Sequence, residues 1–111
     1  MHESVFAQKV IDDAVKQSNK SAAEIKSAVI EVGELAQVTR DDLEYALHGF
    51  VDWKLEVREV PAVVSCACGF KGHPKVTERG HHFSAWECPE CGVKMPELVE
   101  GGDIKIIEVE V

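Results

Sequence analysis

Apolar side chains at Val5, Phe6, Ala7, Val10, Ile11, Ala14 and Val15 recur every three or four positions at the start of the chain. That period predicts an amphipathic helix over residues 3–18, interrupted by Ser18-Asn19-Lys20. Residues 28–32 are instead rich in β-branched side chains and alternate around Glu31, and Gly33 follows; this predicts a first strand over 26–34. Thr39, with Asp42 three positions on, resembles a weak capping box. Leu43, Ala46, Leu47 and Phe50 then form the apolar face of a second helix that ends near His48-Gly49. Trp53, Leu55 and Val57 alternate with Lys54, Glu56 and Arg58 as far as Pro61, a second strand over 53–60. Strand character returns after Gly101-Gly102, from Ile104 to Val111.

The stretch between the last two strands, residues 62–96, has no such period. It is rich in glycine and turn residues and holds all four cysteines. The order helix, strand, helix, strand, insertion, strand predicts an α+β fold in which a three-stranded sheet is covered by two helices and carries an inserted zinc-ribbon-like lobe. Residues 1–61 with 97–111 form the α/β domain in this reading, and residues 62–96 the metal-binding lobe. A chain of 111 residues that is 45% hydrophobic can bury a modest core of this kind.

Cys66 with Cys68, and Cys88 with Cys91, are two thiol pairs separated by nineteen residues, each followed directly by a glycine, Gly69 and Gly92. Two tight turns that each present two thiolates can close a tetrahedron around a borderline cation such as zinc. Glycine lets the backbone turn sharply beneath the sulfur. The first pair has one residue between its thiols where the usual knuckle has two, so its turn must be tighter. Two disulfides, a redox dithiol and an iron site are the competing uses of the same residues. His73, His81 and His82 lie in the same region. His73, ahead of Pro74, reads as a solvated loop residue, and His81-His82 as a hairpin tip that could add to a second, exchangeable site. Phe83 and Trp86 read as the small apolar cover of the knuckle.

Charge narrows the function. Twenty acidic residues against twelve basic ones give a net charge of −8. The excess is shared, with seven basic against twelve acidic residues over 1–60 and five against eight over 61–111. Gripping a phosphate backbone needs the opposite sign, so nucleic acid is not an expected partner. No apolar run of 18 residues exists to cross a membrane. The first twenty residues carry Glu3, Asp12 and Asp13 where a signal peptide is continuously apolar. A cytoplasmic setting follows, and its reducing conditions leave thiols available for metal. No set of nucleophile, base and orienting partner can be assembled, and no phosphate-cradling glycine loop occurs, so the chain is not expected to be an enzyme.

The opening tripeptide Met1-His2-Glu3 has its own chemistry. A free α-amino group, the His2 backbone nitrogen and the His2 imidazole can form fused chelate rings, and a Glu3 amide or another donor can complete a plane that suits nickel(II) or copper(II). Such a site needs an unblocked amine and loses affinity as pH falls. A histidine at position 2 is also often no more than a solvated side chain.

Taken together, the Met1-His2-Glu3 start, the helix after it, the strand end Ile30-Glu31-Val32-Gly33 and the late cysteine pairs resemble the hydrogenase nickel-incorporation proteins, the HypA family, over nearly the whole chain. The resemblance implies a cytoplasmic nickel metallochaperone, with Ni(II) as transported cargo and Zn(II) as a structural ion. Its implied partners are a HypB-type GTPase and the large subunit of a nickel-iron hydrogenase. It implies that His2 is the nickel ligand with Glu3 adjoining through its backbone, that Cys66, Cys68, Cys88 and Cys91 hold zinc, and that His82 is an optional further nickel ligand. The chain departs from the family pattern at Cys66, one position late for the usual pair.

Two readings of other classes compete. One is a zinc-ribbon interaction module of a transcription or translation assembly. The other is a thiol oxidoreductase using Cys88-Pro89-Glu90-Cys91, for which a helix should begin at the pair after a strand.

Overall fold

The computed structural model describes residues 2–79 and 84–111, which divide into two compact units. The first comprises Met1–Val32, Val38–Glu59 and Ile104–Val111, and the second Gly33–Gln37 and Val60–Asp103.

In the first unit, helix α1 (His2–Ser18) buries Ala7, Val10, Ile11 and Ala14, one narrow stripe at i, i+3, i+4 and i+7. Val5 stays exposed at the edge of the predicted stripe. Asn19 takes a left-handed conformation (φ 57°) while its amide still bonds the Val15 carbonyl, which stops the helix where the sequence predicts. A short 3₁₀ turn (Ala22–Glu24) leads into β1 (Ser27–Gly33), where Ala28, Ile30 and Val32 point inward.

Helix α2 (Arg40–His48) starts where the Thr39 hydroxyl oxygen accepts the Asp42 amide at 3.1 Å, and Asp41 and Asp42 face the positive end of the helix dipole. Leu43 and Leu47 are fully buried, each worth about 1.5–3 kcal/mol of transfer free energy. Phe50 does not continue this face. Gly49 caps the helix, and Phe50 lies one residue beyond the cap and is half exposed, so its helical spacing from Leu47 does not place it on the buried face.

The expected sheet is present, in the order β2-β1-β8, with β2 spanning Lys54–Val60 and β8 Ile104–Glu110. β8 runs antiparallel to β1, from Ser27 opposite Glu110 to Val32 opposite Ile104, with a bulge at Val29/Ile30. The bulge leaves Ile107 unpaired and exposed. Helix α1 packs on α2 and β8. The Trp53 indole donates to the Ala22 carbonyl at 2.9 Å, and Arg40 Nε donates to the Val57 carbonyl at 2.6 Å, tying α2 to β2.

The second unit is built from short strands that carry no readable period. β3 (Val63–Ser65) lies between β4 (Lys71–Gly72) and β7 (Glu97–Glu100), all antiparallel, and β5 (Lys75–Arg79) pairs with β6 (Ser84–Glu87) as a hairpin. Residues 33–37, 60–61 and 97–103, assigned from the sequence to the α/β domain, are part of this unit. The reason is backbone pairing: Gly33 N donates to Asp103 O, Glu34 N to Val60 O and Leu35 N to Gly101 O, each at 2.8 Å. The strands approach so closely that a Cβ on Gly33 would lie 2.2 Å from the Gly101 carbonyl carbon.

Candidate metal centre

Each cysteine pair sits on a turn closed by its own backbone. In the first, Cys66 N donates to Phe70 O and Gly69 N to Cys66 O, both at 2.9 Å. In the second, Cys88 N donates to Val93 O and Gly92 N to Cys88 O, also at 2.9 Å. The missing residue of the first pair is therefore absorbed as a three-residue closure, where the second uses four. Gly69 and Gly92 have φ of +100° and +78° with open space around them. Glycine is needed there for backbone conformation and not for room.

The turns face each other. Cys66 Sγ lies 3.6 Å from Cys91 Sγ and Cys68 Sγ 3.7 Å from Cys88 Sγ, and all four sulfurs fall within 4.8 Å of one another. Four sulfurs at about 2.3 Å from a zinc ion define a tetrahedron with edges of about 3.8 Å. The residues present therefore fit a tetrathiolate zinc centre. A disulfide needs about 2.05 Å, and all four cysteines are free. Cys88 is buried, Cys66 half-buried, and Cys68 and Cys91 exposed.

Thiol acidity is divided unequally. Burial opposes the Cys88 thiolate, yet the amides of Cys91 and Glu90 and the thiols of Cys68 and Cys66 outweigh it and draw it down to about 7. At Cys68 the Phe70 amide favours the thiolate, but the neighbouring sulfurs and desolvation prevail and push it up to about 12. Cys91 is also raised, the Val93 amide being outweighed by Cys66, desolvation and Cys88. Four sulfurs this close share protons when no cation replaces them, and a divalent ion relieves that repulsion.

Trp86 braces the second turn. Its indole donates to Pro96 O at 3.0 Å, its carbonyl accepts Met95 N at 2.8 Å, and Glu87 bridges to Lys94. The Cys88–Cys91 pair follows a strand and opens no helix, so the oxidoreductase context is missing.

Among the described residues, these cysteines are the one group of three or more His, Cys, Asp or Glu donors gathered closely enough to share a cation. His73 stands outside it. The sequence reads it as a solvated loop residue, but its Nε2 lies 2.8 and 3.1 Å from the Glu34 carboxylate oxygens. Glu34 escaped the sequence reading, since a glutamate after a strand end carries no signal of partners 28 and 39 positions away. The side chains of His2 and Glu3, and residues His81, His82 and Phe83, lie outside the described residues.

Comparison with known proteins assigns this architecture. A family model described as hydrogenase/urease nickel incorporation, metallochaperone, HypA, matches residues 1–111. The chain belongs to the HypA family. A hydrogenase maturation factor HypA of Methanocella arvoryzae is 33% identical over 120 residues, covering all of both chains. A HypA of Streptomyces avermitilis is 34% identical, covering 98% of this chain and 86% of that protein. The solution structure of the Ni metallochaperone HypA from Helicobacter pylori matches with a TM-score of 0.65 at 18% identity, over 97% of this chain and 95% of the other, and shows a shared fold. HypA proteins are metallochaperones and not enzymes. Family membership also removes the transcription-module reading.

Proposed function

We propose that this HypA-family chain carries nickel(II) at its N-terminus and delivers it to the large subunit of a nickel-iron hydrogenase in the cytoplasm, together with a HypB-type GTPase. Membership over the full chain is the observation that carries the reading. No helix among the described residues is long and apolar enough to cross a membrane.

The nickel set consists of the Met1 amine, the His2 imidazole and backbone nitrogen, and the Glu3 amide, with His82 as an optional further ligand. Helix α1 begins at His2. The first four amides of a helix have no acceptor within it. The His2 and Glu3 amides can thus lose protons to nickel without breaking helical hydrogen bonds. Planar nitrogen ligands suit nickel(II), and a terminal site with few ligands exchanges its ion readily when a partner offers better ones.

Cys66, Cys68, Cys88 and Cys91 hold zinc. When bound, zinc supplies a redox-inert crosslink that stabilises a unit whose own apolar core is small. The two sites divide by ligand chemistry, thiolates retaining the resident ion and nitrogen donors carrying the exchangeable one.

Transfer is the test. Protein loaded with radioactive nickel, mixed with an immature hydrogenase large subunit, the GTPase and GTP, should pass label to the large subunit. Label that stays on the chaperone with every component present would reject delivery.

A further inference from the structure

The first knuckle is a hairpin: β3 enters it at Cys66 and β4 leaves it after Phe70. One carboxylate holds both feet of that hairpin. Glu34 Oε1 accepts the Ala62 amide at 2.9 Å, just ahead of β3, and the same carboxylate meets His73 Nε2 at 2.8 and 3.1 Å, just after β4. Glu34 is itself fixed from behind. Its amide donates to Val60 O at 2.8 Å, and its neighbours Gly33 and Leu35 bond Asp103 and Gly101. The side chain is only about a quarter exposed, and Arg79 adds a favourable charge.

We propose that Glu34 is a positioning residue for the tetrathiolate centre, pre-organising the Cys66–Cys68 turn and so setting how long the centre retains its zinc. The second knuckle does not need this support. It has the usual two-residue spacing, a four-residue closure, and the Trp86 indole bonded to the chain beyond it. The first has a tighter closure, and β4, the strand leaving it, is two residues long. Fixing Ala62 and His73 on one rigid acceptor limits how far the ends of β3 and β4 can part, which is the motion that would withdraw Cys66 and Cys68 from the cation. Pre-organised ligands lose less freedom on binding, and supporting residues around a metal site commonly change metal affinity by about 10–100-fold. Glu34 meets Ala62 and His73 and none of the four sulfurs, so its effect should appear in zinc release.

This inference rests on zinc being the resident ion, and the experiment separates the two. Zinc is counted by native mass spectrometry in the untagged protein, then its release to a chromophoric chelator is timed for wild type, Glu34→Ala, Glu34→Gln, His73→Ala and the lobe control Glu78→Gln. Wild type should hold one zinc. Glu34→Ala should release it about tenfold faster, the scale of a lost charge-assisted hydrogen bond. Glu34→Gln, which keeps an acceptor for Ala62, should recover most of the retention, His73→Ala should fall between, and Glu78→Gln should match wild type. If Glu34→Ala does not fold, the Glu34→Gln and His73→Ala rates carry the test. A wild type without zinc overturns the assignment of the ion. A zinc-loaded wild type whose Glu34 and His73 variants release at its rate, or no faster than Glu78→Gln, overturns the positioning role.

Discussion

Cys66 Sγ lies 3.6 Å from Cys91 Sγ, although 25 positions of chain separate the two residues. The contact joins one knuckle to the other, and the Cys68–Cys88 contact does the same at 3.7 Å. An ion shared by all four sulfurs would therefore join the two knuckles. Stripping the protein with a strong chelator should abolish slow amide exchange over residues 60–79 and 84–103, while the amides of α1, α2 and the β2-β1-β8 sheet stay protected. Hydrogen exchange read by mass spectrometry checks this, and equal loss in both units would contradict it.

The knuckle glycines should fail for a reason unlike that at Gly33. Gly69→Ala introduces no clash but puts a side chain at φ +100°, a strain of about 1–3 kcal/mol that should weaken zinc retention. Gly33→Ala drives a Cβ to 2.2 Å from backbone and should lower the thermal midpoint further. Melting curves of the zinc-loaded variants should rank them in that order.

Leu43→Ala opens a cavity at a fully buried site and should cost about 2–5 kcal/mol in urea unfolding. Zinc content should not change, because Leu43 belongs to the first unit and the cysteines to the second.

Acid should act on Glu34. Burial raises its pKa, but the Ala62 amide and His73 outweigh this and hold it below its ordinary 4.5. A carboxylate with a lowered folded-state pKa stabilises above its unfolded value and loses that contribution as pH falls through the folded one. The stability advantage of wild type over Glu34→Gln should be full well above the ordinary value of 4.5 and shrink progressively as the pH falls below it. A difference that does not change over that range would refute the argument. The midpoints are measured by denaturant titration at each pH.

The elements that build the first unit were legible because burial imposes a period. Ala7, Val10, Ile11 and Ala14 mark one helix face, Ala28, Ile30 and Val32 one strand face, and each read correctly to within a residue or two of its ends. Phe50 misled because it is apolar at a helical spacing, yet it follows the Gly49 cap. The cysteines were legible as a set, since thiol spacing reports a metal knuckle directly. The strands of the lobe were not, because segments of two to five residues show no period. The pairing of Glu34 with His73 was illegible for a different reason: it depends on how residues 33–37 dock on the lobe, and nothing local to either residue encodes it.

In the proposed division of labour, nitrogen donors of Met1 and His2 carry nickel while sulfur keeps zinc. Calorimetric titration of nickel into untagged wild type and His2→Ala, with zinc counted in parallel, separates the two roles. Wild type should bind one nickel, His2→Ala should lose that binding, and both should retain one zinc. An unchanged nickel isotherm in His2→Ala would contradict it.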